Sequence, residues 1–459
     1  MSFYDTIAAL STPQGKGGVA VIRISGADAI AVAERVFVLK SGEKLSALAP
    51  RLAVYGDIVD GEETVDDGLA TVFRAPRSFT GEDTVEISCH GGIYVTQRVL
   101  SAVLAAGARA AEAGEFTRRA FVNGKLGLGQ AEAIGTLLDA RNDEQIRLSR
   151  SALGGRLDKE CREIYGELRS ILAQVYASVD YPEEELADMS ADEMQTALSR
   201  VGARIERLLS TYSTGHAVIE GIRTVICGKP NVGKSSLYNR LVGREAAIVT
   251  EHEGTTRDLL TETVTLGRVT LRLCDTAGIR SSSEAVEQIG IERAKEEIRR
   301  AELILAVFDG SRPFDDRDKE ILDDICIEKC AKIAVINKND ENSMIDEGVI
   351  PKDFAAIVRM SAQKDGDLAT LCEAVEKLYI NEAIDTRNDA VIMNARQHAA
   401  LAGAARHVAL AAEALSRGES ADLAGVDVEL AMSSLGEIDG REIGEDIVSE
   451  IFSRFCVGK

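Results

Sequence analysis

Lys234 and Ser235 close the stretch Gly228-Lys229-Pro230-Asn231-Val232-Gly233-Lys234-Ser235-Ser236, which fits the phosphate-binding pattern G-x-x-x-x-G-K-[ST]. The glycines let backbone N–H groups turn inward around phosphates. The ammonium of Lys234 can neutralise the β- and γ-phosphates, a catalytic as well as a binding role, and the Ser235 hydroxyl can ligate Mg²⁺. Candidate nucleotide contacts are therefore Asn231, Val232, Gly233, Lys234, Ser235 and Ser236. A strand-like run, Ile222 to Cys227, leads into the stretch, and a helix-like run, Ser236 to Val242, leads out, which is the context the motif needs. A chance glycine turn is the alternative for the motif alone.

The residues downstream extend the same chemistry. Leu271 to Cys274 reads as a strand ending in Asp275-Thr276-Ala277-Gly278, a carboxylate and a glycine placed to meet Mg²⁺ and the γ-phosphate. Lys332 to Ile336 reads as a strand ending in Asn337-Lys338-Asn339-Asp340. Asp340 can accept from both N1–H and the 2-amino group of guanine, whereas adenine has neither donor and leaves the carboxylate unpaired. A further short strand ends at Arg359-Met360-Ser361-Ala362, where guanine-contacting S-A motifs lie. Four motifs in this order predict a GTPase domain, since a P-loop kinase or ATPase lacks N-K-x-D.

Ile279 follows the D-T-A-G run, where Ras-like GTPases carry a glutamine that orients the attacking water. Either the protein is a poor hydrolase, or other groups handle the water and the developing charge. The amide oxygen of Asn231 can ligate a monovalent cation beside the phosphates; a local turn hydrogen bond explains it equally well. Switch I would be Thr250 to Asp258, with Thr256 on Mg²⁺ and Thr255 as its close rival. Backbone carbonyls of Thr250 and His252 can face a K⁺ held by Asn231, placing positive charge where an arginine finger otherwise puts it. Glu287 can orient the water, or stand as a solvated glutamate at a helix start.

The elements that must hold these residues fall into segments. The 459 residues suffice for about three domains. Residues 1–120 intermingle strands (Val19–Ile24, Leu52–Val59, Leu69–Phe73, Thr84–Ser88) with helices (Asp28–Phe37, Tyr94–Ala106), an α+β pattern. From Gln130 to Ser178 apolar residues recur every three or four positions, with a break at Gly154-Gly155. Ser190-Ala191-Asp192-Glu193 reads as a capping box opening a helix to about Tyr212, and Ser213 to His216 as a linker. The nucleotide segment spans 218–381, and helical periodicity resumes at Ala395–Ser416, Asp422–Leu435 and Glu445–Phe455. The segmentation is thus 1–120, 121–217, 218–381 and 382–459, with the nucleotide domain inserted into a helical domain, because the ends of inserted domains lie close together. Two separate helical domains are the alternative.

Composition narrows the function classes. A net charge of −22 argues against nucleic-acid binding by charge alone. Eight scattered cysteines with no C-x-x-C pair predict a reduced, cytoplasmic protein. The N-terminus shows no signal core, and no apolar run approaches the ~18 residues of a membrane span.

With these motifs in place, the chain resembles the bacterial tRNA-modifying GTPases called MnmE or TrmE, of the TrmE-Era-like class. The likeness rests on Asn231, on Gly254-Thr255-Thr256-Arg257-Asp258 and on Asp275 to Gly278. It extends to Arg23-Ile24-Ser25-Gly26, Ser78-Phe79-Thr80-Gly81-Glu82-Asp83, His90-Gly91-Gly92, Gly114-Glu115-Phe116-Thr117, Gln130-Ala131-Glu132-Ala133 and the tail Cys456-Val457-Gly458-Lys459. It therefore covers essentially the whole chain. The resemblance implies a multidomain α/β protein: an N-terminal α+β folate-binding-like domain, a helical domain, and an inserted Ras-like P-loop domain with a mainly parallel sheet. It implies a homodimer that works with a flavin- and NADH-dependent partner, MnmG or GidA, in a heterotetramer or larger complex. Together they would add a carboxymethylaminomethyl or aminomethyl group to C5 of the wobble uridine of certain tRNAs. Arg23, Glu82, Lys125 and Lys459 carry over as contacts to 5-formyl- or methylene-tetrahydrofolate, and charged side chains suit the polar edges of such a ligand. Asn231, Thr250, His252 and Thr255 carry over for K⁺, Ser235 and Thr256 for Mg²⁺, and Glu287 for the water.

Four places depart from the family pattern, the first being Gly124, where an acidic residue often precedes the lysine. Gly127-Leu128-Gly129 stands where D-L-A is common, His252-Glu253 where small or apolar residues are usual, and Gln363 where a basic residue follows the S-A pair. Cys456 is either a terminal thiol of no consequence or a reactive group near the folate, where its pKa and exposure would decide its use. A GTPase switch in ribosome assembly, and a folate aminomethyltransferase acting on a protein, are the rival functions. Retention of tetrahydrofolate by the purified protein separates the first rival from the leading reading.

Overall fold

The computed structural model describes residues 5–180, 190–243, 261–274, 295–340, 344–362, 364, 368–442, 444–453 and 455–458. Its packing divides the chain into two compact units: Met1–Leu138 with Ala152–Asp188 and Glu419–Lys459, and Asp139–Ser151 with Met189–Gly418. The helical stretches flanking the nucleotide segment are thus shared between the units. No helix among the described residues is long and apolar enough to cross a membrane.

The first unit is built on seven strands: β1 Ile7–Leu10, β2 Val19–Ser25, β3 Phe37–Leu39, β4 Ala53–Asp60, β5 Glu63–Phe73, β6 Thr84–His90 and β7 Arg109–Ala110. Their order is β3-β4-β5-β6-β2-β1-β7, antiparallel throughout except for the β1–β7 pair. The period-two alternation of β2 decides its two faces. Ala20, Ile22 and Ile24 join Val85, Ile87 and the helices Ala29–Val36 and Ile93–Ala105 in one core. Arg23 and Ser25 point the other way, where Ile7 and Ala9 meet Ala111, Phe116 and Phe79. Register pairs Arg23 with Glu86. Helices Arg156–Asp180 and Ala421–Asp439 pack together, and a Cβ at Gly425 would lie 3.1 Å from Val175 Cγ1. The break expected at Gly154-Gly155 is present: one helix ends at Leu153, Gly155 takes φ +68°, and the next starts at Arg156.

The second unit holds β8 Ile222–Cys227, β9 Thr261–Leu266, β10 Val269–Cys274, β11 Leu303–Asp309, β12 Ala331–Asn337 and β13 Ala356–Arg359, in the order β13-β12-β11-β8-β10-β9. Every pair is parallel except β9–β10. β11 is buried at all positions, as a strand covered on both faces should be. Leu237, Leu241, Leu368, Leu371 and Val375 cover one face, and Leu322 and Ile325 the other. This is the mainly parallel sheet that the resemblance implied.

The capping box at Ser190 forms as expected and opens the helix Ala191–Leu209, which packs against Ala395–Ser416. Ser213 to His216, expected as a linker, lies instead inside a helix, Tyr212–Ile219. Burial overrides the weak propensity of this polar run. The Thr214 hydroxyl donates to the Tyr379 carbonyl at 3.1 Å and accepts the Asn381 N–H at 3.0 Å. A Cβ at Gly215 would stand 1.9 Å from the Ile392 carbonyl oxygen. The two ends of the nucleotide segment therefore lie side by side.

Candidate functional site

The phosphate-binding stretch joins β8 to the helix Lys234–Gly243. Gly228 takes φ +141° and Gly233 φ +102°, and a Cβ would meet Val307 O at 2.3 Å and Asn337 Nδ2 at 1.9 Å respectively. Only glycine fits either place. Asn231 adopts φ +65°, one of three non-glycine residues with positive φ among those described, and its side chain is exposed. The Lys234 ammonium donates to the carbonyls of Gly228 at 2.7 Å and Lys229 at 2.6 Å. Ser235 and Ser236 are exposed at the start of the helix, where N–H groups lack intrahelical acceptors. Val232 is buried.

At the end of β12, where base contacts were expected, Asn337 is turned inward. Its amide donates to the Val232 carbonyl at 2.8 Å and its oxygen accepts the Ala362 N–H at 2.8 Å. The Lys338 ammonium sits 2.7 Å from the Asp309 carboxylate at the end of β11. Burial alone would raise the Asp309 carboxyl, but hydrogen bonds from Lys338, Ser311 and Arg312 hold it well below the usual carboxylate range. Asp340 is exposed, and the hydrogen bond from Ser361 lowers its carboxyl, leaving an ionised acceptor. Ser361 and Ala362 are buried beside it. Asn337, Lys338, Asp340, Ser361 and Ala362 thus share one end of the sheet, with Asn337 linking that end to the phosphate loop.

In the first unit, the turn from Pro76 to Thr84 gathers three of the four folate candidates. Arg23 forms an ion pair with Glu86 at 2.8 Å and lies 5.3 Å from the ring centre of Phe79 and 5.6 Å from that of Phe116. Glu82 accepts from Ser25 Oγ at 2.8 Å and from Arg119 at 3.3 Å. Lys125 donates to the Pro76 carbonyl at 2.9 Å, and its stem lies 3.2 Å from a Cβ built at Gly81. The tail is tied to the same unit. Val457 bridges to Ala113, the Cys456 carbonyl accepts the Gly114 N–H at 3.4 Å, and Ser11 Oγ donates to the Gly458 carbonyl at 3.0 Å. Gly458, at φ +97°, has no room for a Cβ beside Leu10 O at 2.1 Å. Cys456 itself is exposed.

Thr250, His252, Thr255, Thr256, Asp275, Thr276, Ala277, Gly278, Glu287 and Lys459 lie outside the described residues.

Comparison with known proteins covers both units. The family described as the GTP-binding protein TrmE N-terminus matches residues 6–125, and that described as the MnmE helical domain matches 128–456. A tRNA modification GTPase MnmE of Lactococcus lactis subsp. cremoris is 40% identical over 457 residues, 99% of each chain. The chain is a GTPase of the MnmE family. The MnmE of Lactiplantibacillus plantarum is 38% identical over 462 residues, again 99% of each chain. Among solved structures, Era of Aquifex aeolicus is 27% identical, covering 40% of this chain and 66% of that one, with a TM-score of 0.28.

The MnmE N-terminal unit also contains residues that motif reading passed over. Arg119 is 2% exposed and donates to Asp5 at 2.6 Å, Glu115 at 3.0 Å and Glu82. Its only sequence signal was the i,i+4 spacing from Glu115. Phe79 and Phe116 bracket Arg23 and were legible only as parts of longer motifs. At Gly127 a Cβ would stand 2.4 Å from Asp158 Oδ2.

Proposed function

We propose that this chain is a K⁺-activated GTPase of tRNA modification. With a flavin- and NADH-dependent partner of the MnmG (GidA) type, it drives folate-dependent addition of a carboxymethylaminomethyl or aminomethyl group to C5 of the wobble uridine of certain tRNAs. It works in the cytoplasm as a homodimer within a larger complex. The observation that carries this reading is the likeness, over 99% of each chain, to proteins called tRNA modification GTPases.

In this reading Asp340 selects guanine, Lys234 neutralises the β- and γ-phosphates, and Ser235 with Thr256 and Asp275 holds Mg²⁺. Thr276, Ala277 and Gly278 face the γ-phosphate. The exposed Asn231 amide, with Thr250, His252 and Thr255, suits a K⁺ ligand set, because all can present oxygens. K⁺, when bound, supplies positive charge that an arginine finger otherwise provides. Glu287 orients the water that Ile279 cannot.

The first unit fits a folate. Arg23 stands beside two aromatic rings, Glu82 lies in the turn before β6, Lys125 donates to the Pro76 carbonyl of that turn, and the buried Thr117 Oγ1 and Arg119 Nε of the same unit have no hydrogen-bond partner among the described residues. Tetrahydrofolate, when bound, supplies a one-carbon unit. Arg23 and Lys125 would orient its anionic parts and Glu82 its pterin edge, with Lys459 and Cys456 brought in on the tail.

The test is GTP turnover in K⁺ and in Na⁺ at equal ionic strength across a range of protein concentrations, with assay of tetrahydrofolate retained on purification. Strong K⁺ stimulation that rises with concentration, together with bound folate, is expected. Equal slow rates in both salts and no folate would overturn the reading in favour of a ribosome-assembly switch.

A further inference from the structure

Lys229, the second residue of the phosphate loop, turns its ammonium to two aspartates at the start of a neighbouring helix. Its ammonium is 2.6 Å from Asp315 Oδ2 and 2.6 Å from Asp318 Oδ2, and its side chain is 8% exposed. Those two aspartates form the capping box of the helix Asp316–Cys326: each carboxylate accepts the backbone N–H of the other, at 3.1 and 3.2 Å. One lysine therefore closes a three-residue clip between the loop and the start of a neighbouring helix.

A buried ion pair is a poor device for stability, because desolvation offsets most of the attraction. It is a good device for fixing a register, because short charge-assisted bonds allow few geometries. The backbone of Lys229 has few alternatives as well. Pro230 follows it and disfavours the helical region for the preceding residue, and Gly228 before it is pressed against Val307 O. What the clip holds still is the carbonyl of Lys229, which with that of Gly228 receives the Lys234 ammonium. The loop that begins at Asp309 thus holds Lys338 of the base-reading motif at one end and Lys229 of the phosphate loop at the other.

We propose that Lys229 is a positioning residue: clipped to Asp315 and Asp318, it orients the carbonyls that aim the Lys234 ammonium at the β- and γ-phosphates. Base recognition through Asp340 does not depend on it.

The test compares nucleotides that differ only in phosphates, titrated against the full-length protein. In Lys229→Met, affinity for GDP and GTP is expected to fall by about tenfold or more, since small misplacements of a reacting group are costly, while affinity for GMP stays within about twofold. Lys229→Arg, which can still bridge two carboxylates, should recover much of the loss. Asp315→Asn keeps a residue favoured at a helix start but drops the charge, and should move the GDP-to-GMP affinity ratio in the same direction. If Lys229→Met does not fold, Lys229→Gln, which keeps the stem and one donor, carries the comparison. A wild-type GDP-to-GMP ratio in the folded Lys229 variant, or an equal loss for GDP and GMP, would overturn the proposal.

Discussion

The Asn337 side-chain amide donates to the Val232 carbonyl at 2.8 Å, so a residue of the base-reading motif supports the backbone of the phosphate loop. Its oxygen takes the Ala362 N–H at 2.8 Å, drawing the second base-reading loop to the same point. Asn337→Ala leaves a buried carbonyl and a buried N–H without partners, each at a cost of about 1–3 kcal/mol. The expected outcome is a lower denaturation midpoint together with weaker GDP binding. Full GDP affinity in a destabilised protein would mean that the bridge is not needed for the nucleotide.

Asp340 carries an ionised, exposed carboxylate steadied by Ser361. Asp340→Asn puts a donor where guanine also donates, and xanthine offers an acceptor instead. Affinity should shift from GTP towards XTP by about a hundredfold or more. Competition binding with the two nucleotides measures this, and unchanged preference would remove Asp340 from base recognition.

Arg119 holds three carboxylates, Asp5, Glu82 and Glu115, from a nearly dry position. Arg119→Met takes this ion-pair partner from Glu82, leaves Asp5 and Glu115 to Arg109, and should cost about 3–5 kcal/mol of stability in the N-terminal unit. Burial alone would raise the Glu115 and Asp5 carboxyls, but hydrogen bonds from Arg109 and Arg119 win and lower both. A lowered carboxyl stabilises the fold above its unfolded pKa, and that contribution disappears as pH falls through the folded value. Melting of the native protein should therefore soften on the acid side, and the variant, which keeps Arg109, should lose part of that acid dependence. Parallel melting curves for both across pH 3 to 6 would contradict the assignment.

His216 lies between two carboxylates, with Nδ1 2.7 Å from Glu220 and Nε2 2.8 Å from Glu302. Tyr212 stacks on the neighbouring His398 at 4.2 Å and brings its hydroxyl to 3.5 Å from His216 Nδ1. Burial would lower the imidazole, yet the hydrogen bonds it donates to Glu220 and Glu302 raise it to about 9. A raised histidine stabilises fully below its unfolded pKa, about 6.5, and loses that contribution as pH rises through about 9. The melting temperature should fall between pH 7 and 9.5, and His216→Gln should flatten that fall. A variant with the native slope would show that another group sets it.

Much of the chain was legible without coordinates where the signals are local. The strand Ile222–Cys227, the capping box at Ser190 and the helix Ala395–Ser416 appear where hydrophobic period and end residues placed them. β5 was read too short, from Leu69, because its polar first half shows no alternation; pairing with β4 back to Asp60–Glu63 supplies the order instead. β1 was missed because Ile7-Ala8-Ala9-Leu10 is a short apolar run with no period, and its pairing with Ile22–Ser25 on one side and Arg109–Ala110 on the other makes it a strand.

The order and spacing of the four motifs by themselves determined the nucleotide chemistry, because a phosphate loop and a guanine-reading carboxylate depend on residue type at fixed offsets from strand ends. Distant partners decided the rest. The inward turn of Asn337, the burial of Arg119, the clip at Lys229 and the helix at Ser213–His216 each depend on residues tens of positions away or more. Such contacts are set when elements pack and buried polar groups must find partners, a condition that no local pattern records.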